Sequence, residues 1–174
     1  MPRHILITGG NSGIGAAAAV RLAAAGHRVT IVGRDAAKGN AVVSTHPELI
    51  SFVRADLSTV AGMHAFCDAF QEKHAVIDSL VLGAGVVNSS SAARTVDDVH
   101  VNFATNYLHR FVVAERLLPL LEKSHDPRIV FLCAGVPLTS QIDFDRFPRL
   151  RDYSTLRDRT VTQIANYLYA QRLA

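Results

Sequence analysis

Thr8-Gly9-Gly10-Asn11-Ser12-Gly13-Ile14-Gly15 lies between an apolar run, His4-Ile5-Leu6-Ile7, and an alanine-rich segment from Ala16 to Ala25. The run before it reads as a short, fully buried strand, His4–Thr8. The segment after it reads as a helix over Gly13–Ala25, stopped at Gly26. Gly9 turns the chain out of the strand, Gly13 lets backbone approach a phosphate, and Gly15 lets the helix pack closely on the sheet. The unpaired N–H groups and positive dipole end of the helix converge on the same point, which suits a pyrophosphate. A second strand, Arg28–Gly33, follows. The context predicts a dinucleotide site made by Gly9, Asn11, Ser12, Gly13, Ile14 and Gly15, with a purely structural glycine turn as the alternative.

At 174 residues the chain fits one domain, residues 1–174, large enough to bury a substantial core. Nearly half the residues are hydrophobic (49%) and tryptophan is absent, which suits helices lying close on a parallel sheet. The net charge is only +3. Arg146, Arg149, Arg151, Arg157 and Arg159 are interleaved with Asp143, Asp145, Asp152 and Asp158, so no single-sign patch points to nucleic acid. Cys67 and Cys133 are expected reduced and packed, in a helix and a strand. No apolar run is long enough to cross a bilayer, and no leader precedes the motif, so no membrane role and a cytoplasmic setting are expected. The eight histidines show no metal-like pairing.

Strand and helix patterns alternate along the chain. A helix near Ala36–Thr45 ends at His46-Pro47. Strand three is Ile50–Arg54, then Asp56-Leu57-Ser58 and a helix over Val60–His74. Strand four, Ser79–Gly83, leads to a serine-rich loop and a long helix from Val96 to Lys123, which Pro119 should bend or end early. Strand five is Arg128–Cys133. An irregular stretch from Gly135 to Arg157 precedes the last helix, Arg159–Leu173. Repeated βα units of this kind predict an α/β fold: a doubly wound parallel sheet, the three-layer Rossmann arrangement, with a ligand over the carboxyl ends of the strands.

These segments resemble the short-chain dehydrogenases/reductases, within them the retinol-dehydrogenase-like branch. Thr8–Gly15 is similar to that family's Thr-Gly-x-x-x-Gly-x-Gly cofactor motif. Asp56-Leu57 resembles its adenine-contacting pair, and Leu82-Gly83-Ala84-Gly85 lies where the family carries Asn-Asn-Ala-Gly. Asn106-Tyr107-Leu108-His109-Arg110-Phe111 matches the segment of the family's asparagine. Ile164-Ala165-Asn166 through Gln171-Arg172-Leu173-Ala174 resembles its active-site helix. The resemblance spans essentially the whole chain. It implies cofactor contacts at Asp56, Leu57, Gly83, Ala84 and Gly85.

The cofactor subtype has a physical signature. A carboxylate ending strand two would bond a ribose diol, but here strand two ends Val32-Gly33-Arg34, with Lys38 one turn on. A guanidinium there suits a 2′-phosphate, so NADP(H) is expected in preference to NAD(H). The alternative is that Arg34 pairs with Asp35 or another surface carboxylate.

The family's chemistry, as the resemblance implies it, uses a tyrosine as proton donor or acceptor and a lysine four residues on. A serine polarises the substrate oxygen, and an asparagine holds a water in the proton relay. Carried over without a gap, the serine position is Ala134, the tyrosine position Arg159 and the lysine position Gln163; only Asn106 is retained. Alanine cannot donate a hydrogen bond, arginine stays protonated near neutrality, and glutamine carries no charge. A second register takes Tyr153 with Arg157 four residues on, and Ser140 upstream. It displaces Ile164-Ala165-Asn166 from the family pattern. Cys133, near the same place, is expected to be a buried, inert thiol.

Family members continue past this helix, whereas nothing follows Ala174. The resemblance leaves open a piece of a longer protein or an edge at strand five that needs a partner. It also implies a homodimer through the two long helices, with Tyr167, Leu168, Tyr169 and Leu173 at the contact. Three functional readings follow. One is an oxidoreductase exchanging hydride between a nicotinamide and a ketone/alcohol pair, impaired by its replaced residues. Another is a cofactor-binding pseudoenzyme, or a non-redox isomerase or cyclase with Arg159 as electrostatic catalyst. The third is a structural or interaction module. The sequence leaves the small-molecule substrate unidentified.

Overall fold

Every residue of β1 (His4–Thr8) is buried, as expected for a strand covered on both faces. In the computed structural model, which describes residues 1–87, 90, 92–135, 141–145 and 155–174 (side chains of 155–157 excepted), β1 is the middle of a five-stranded sheet. The other strands are β2 (Arg28–Gly33), β3 (Ile50–Arg54), β4 (Ser79–Leu82) and β5 (Arg128–Phe131). Their order is β3-β2-β1-β4-β5, and every neighbouring pair is parallel. Ile5 stands beside Val29 on one side and Ser79 on the other. The switch at β1, with one crossover run going to β2 and β3 and the other to β4 and β5, opens a crevice above the strands' carboxyl ends.

Side-chain alternation along β1 splits the core into two layers. Ile5 and Ile7 join Val29, Ile31 and Ile50 beneath the buried Ala19 and Ala23 of α1 (Gly13–Ala24), whose small side chains let the helix lie close. Leu6 joins Leu80, Leu82, Met63, Phe66 and Leu117 on the other face. There lie α3 (Val60–Lys73) and α5 (His109–Leu121), with α6 (Thr155–Leu173) reaching the same cluster through Tyr169. Loss of one such side chain, as in Leu→Ala, costs roughly 2–5 kcal/mol.

Most expected elements are present, and the differences have local causes. α2 runs Ala36–Val43 rather than to Thr45, because the Ser44 and Thr45 hydroxyls bond back to the Ala41 and Val42 carbonyls. Asp35 caps α2 by accepting from the Lys38 N–H at 3.0 Å, and Thr59 caps α3 through the Gly62 N–H. The long helix does not begin at Val96. Asp98 has φ 54°, and His100 caps a short α4 (Val101–Phe103) by accepting from the Asn102 N–H at 3.2 Å. A π segment, Ala104–Leu108, then leads into α5. Pro119 sits inside α5, which ends two residues later at Leu121.

β4 stops at Leu82 and β5 at Phe131, one and two residues before their expected ends. Cys133 therefore lies in the segment beyond β5 and is exposed, not packed in a strand; Cys67 is buried as expected. α6 begins at Thr155, four residues early. Tyr167 and Leu168 are exposed on it, but Tyr169 is buried and donates its hydroxyl to Glu115 Oε1 at 2.8 Å, so it is not available to a partner. Leu173 packs partly against the core. Among the described residues no helix is long and apolar enough to cross a membrane, and no cluster of histidine, cysteine or carboxylate side chains is arranged to hold a metal ion.

Candidate functional site

A cleft of about 1020 Å³ lies above the carboxyl ends of the strands. Gly9 leaves β1 with φ 71°, and a Cβ there would strike the Ala84 backbone at 2.7 Å. Its turn brings the chain under α1, where a Cβ on Gly15 would collide with the Gly9 carbonyl oxygen. Ser12 is the N-cap residue of α1 but makes no side-chain cap, and nothing stands within 4 Å of where a Gly13 Cβ would point. The first turn of α1 thus lines the cleft with the positive end of the helix, a natural seat for an anion. Asn11, Ser12 and the exposed Ile14 line this middle stretch.

Two buried groups fix the walls. The Thr8 hydroxyl accepts from the Gly83 and Ala84 N–H groups at 3.1 and 3.3 Å, tying the end of β1 to the loop after β4. It also lies 3.3 Å from His109 Nε2. His109 is fully buried; burial, with the neighbouring Arg110 charge added, pushes its pKa down to about 3. It is a neutral spacer beneath the cleft.

At the β2–β3 end stand Arg34, Lys38, Asp56 and Leu57. Asp35 is occupied by Lys38, whose ammonium is 3.9 Å away, and Arg34 makes no ion pair among the described residues. The alternative in which Arg34 is spent on Asp35 is thus not the arrangement found; Lys38 is the partly engaged one. Burial works against the ionised form of Asp56, but hydrogen bonds from the Ser58 hydroxyl and N–H, and the nearby Arg34, outweigh it. They hold the carboxyl below its ordinary value.

At the β4–β5 end the lining is Gly83, Ala84, Gly85, Asn106, Arg110, Cys133, Ala134, Arg159 and Gln163. The gap-free register therefore brings Ala134, Arg159, Gln163 and Asn106 to one place. Ser140 and Tyr153, the other register, lie outside the described residues. Asn106 does not have a free amide for a water: Oδ1 accepts from the Val86 N–H at 2.8 Å and Nδ2 donates to the Val86 carbonyl at 2.9 Å. Its own carbonyl accepts from Asn166 Nδ2 at 2.8 Å. The π segment places these groups, with the His109 N–H reaching five residues back to the Ala104 carbonyl. Asn106 is a clamp between the post-β4 loop and α6.

Gln163 Oε1 accepts the Ala134 N–H at 3.0 Å. Arg110 Nη1 donates to Cys133 Sγ at 3.4 Å and Nη2 to the Ala84 carbonyl at 3.2 Å, while its buried Nε has no partner. Sequence reasoning gave Arg110 and Thr8 no roles of their own. Arg110 had a usable signal: four residues from Asn106, it shares the inward face of the helix.

Comparison with known proteins agrees with this layout. A family model described as short chain dehydrogenase matches residues 3–148. The chain is 35% identical over 149 residues to dehydrogenase/reductase SDR family member 12 of Bos taurus, covering 82% of this chain and 46% of that protein. It is 30% identical over 175 residues to retinol dehydrogenase 12 of Mus musculus, covering 98% and 55%. Among solved structures, the Pseudomonas aeruginosa RhlG/NADP active-site complex is 25% identical with a TM-score of 0.75, covering 99% of this chain and 66% of that one. The chain belongs to the short-chain dehydrogenase family, in its retinol-dehydrogenase-like branch. It spans about half the length of the curated relatives it matches.

Proposed function

We propose that the chain binds NADP(H) in the cleft and acts as a short-chain dehydrogenase/reductase-like protein whose reaction end has been altered. The observation that carries this reading is the uncapped N-terminus of α1, with open space over Gly13, in line with an unpaired Arg34 at the end of β2. The residues present fit the dinucleotide. The first turn of α1 would take the pyrophosphate, Arg34 with Lys38 a 2′-phosphate, and Asp56 and Leu57 the adenine edge. NADP in the related RhlG complex supports the same choice.

When bound, the nicotinamide supplies or accepts hydride toward a ketone/alcohol pair. The protein's part is binding and orientation. Arg159 holds positive charge at the mouth of the β4–β5 end and is suited to stabilising a developing oxyanion. Neither Ala134 nor Gln163 can exchange a proton near neutrality, so these two positions supply no proton-transfer group. That replacement favours a second reading, a cofactor-binding protein with slow or non-redox chemistry. Self-association through α5 and α6, with Tyr167 and Leu168 at the contact, belongs to the same proposal and predicts a dimeric mass in solution.

The test is a titration with NADPH, with NADH as control, followed by nicotinamide fluorescence. Selective binding of NADPH supports the reading, and absence of binding at millimolar cofactor overturns it. Turnover with a panel of carbonyl compounds then separates the two chemistries.

A further inference from the structure

Arg110 is 3% exposed, yet it has no carboxylate partner among the described residues. Its contacts are a thiol and a carbonyl, both neutral acceptors, and Nε is left with nothing. A buried cation in this condition is costly unless an anion completes it, and an unsatisfied buried donor in a cleft wall points to a ligand.

The surroundings favour one kind of ligand. Gln163, which lines the cleft, has its Oε1 committed to the Ala134 N–H, so what it has left to offer is the Nε2 donor. Arg159 adds a second guanidinium at the exposed rim. The carboxylates that line the cleft, Asp35 and Asp56, stand at the opposite β2–β3 end. The β4–β5 end is therefore a set of donors with no acidic acceptor among the described residues, and two of the three carry fixed positive charge. A planar, acceptor-only group matches guanidinium donors two at a time.

We propose that this end of the cleft is a carboxylate site, and that its substrate is an organic acid bearing the carboxylate beside its carbonyl or hydroxyl carbon. Calling the ligand a substrate rests on the NADP(H) reading above; the carboxylate site itself does not. Arg110 is the buried anchor, Arg159 closes on the acid from the rim, and Gln163 Nε2 orients it. A neutral ketone would leave Arg110 as it stands, without its counter-charge.

The experiment is calorimetric titration of the protein with oxamate, an unreactive 2-oxo carboxylate mimic, with and without saturating NADPH. Ethyl oxamate and inorganic phosphate serve as comparison probes. Oxamate is expected to bind and its neutral ester not to. The Kd should rise at least about tenfold in Arg159→Ala and in Arg110→Met, as for loss of one charge-assisted contact. Arg21→Ala, on the exposed face of α1 and outside the cleft, should bind oxamate as the parent does. Arg159 is exposed, so its variant keeps the test decisive even where Arg110→Met fails to fold. Binding of the ester as tightly as the acid, tighter binding of phosphate, or an unchanged Kd in Arg159→Ala would overturn the proposal. NADPH fluorescence on the same samples separates the two claims. NADPH bound without oxamate removes only the carboxylate site, and oxamate bound without NADPH removes only the cofactor reading.

Discussion

Gln163 Oε1 accepts the Ala134 backbone N–H at 3.0 Å, which bonds α6 to the segment leaving β5. In the gap-free register, the residue that takes the family's lysine position is thereby tied to the one that takes its serine position. A glutamine used in this way holds shape at the reaction end without contributing charge.

Restoring the family's groups should restore its proton chemistry. The variant Ala134→Ser, Arg159→Tyr, Gln163→Lys is expected to reduce neutral ketones with NADPH roughly 10²-fold faster than the parent, the lower range for a positioned acid–base group. Absorbance of NADPH over time measures it. No gain in a folded, NADPH-binding variant would mean that these positions do not face the nicotinamide.

Arg34→Ala should separate the two nicotinamide cofactors. Loss of a charge-assisted contact to a 2′-phosphate should weaken NADPH roughly 10- to 100-fold while leaving NADH within about twofold. Equal losses for both cofactors would assign Arg34 to general folding or to the shared part of the dinucleotide.

Thr8→Val keeps the shape of β1 and removes the acceptor for the Gly83 and Ala84 N–H groups. The fold should lose about 1–3 kcal/mol, read as a lower urea midpoint, because the Ala84 N–H loses its partner while the Gly83 N–H keeps the Thr8 carbonyl. Asn106→Ala should cost a similar amount, since it frees both polar groups of Val86.

Stability should fall with acid before the carboxylates titrate. Burial first, then the charge on His74, brings the His4 pKa down from 6.5 to about 4, and burial brings that of His109 to about 3. Both are neutral in the folded chain, so their stabilisation is present above pH 6.5. It is lost as pH falls from there toward 4, where the unfolded chain binds protons that the folded one refuses. Urea titrations between pH 7 and 4.5 should show proton uptake on unfolding from His4, His109 and His74, whose pKa burial also lowers, and less uptake in His4→Gln. A flat midpoint over that window would show these histidines to be solvated.

The fold was legible because βα repeats announce themselves locally. The apolar run His4–Ile7, the glycines after it and the alanines of α1 each specify their state from a few neighbours, and the sheet order follows from them. The β2–β3 end of the cleft was legible for the same reason, since its lining residues Gly9, Gly15, Arg34 and Asp56 lie within one stretch of chain. The other end was only half legible. Spacing from Arg128 picked out Ala134, Arg159 and Gln163, and all three line the cleft. It could not show that Asn106 is spent on Val86, because that bond depends on a π turn, which apolar periodicity does not mark. Nor could it show Cys133 open to the cleft, since strand length past Phe131 is decided by pairing with β4. Arg110 escaped because a charged residue on a helix reads as surface until the packing around it is known.

The cleft is assembled from two parts of the chain. One end comes from β1 to Ser58, the other from Gly83 to Gln163, and they meet where Thr8 holds Gly83 and Ala84. Substitutions in one part need not disturb the other, provided that join is kept. The two ends are thus separately replaceable modules, and a scaffold of this kind can be altered at one end while the lining of the other stays as it is.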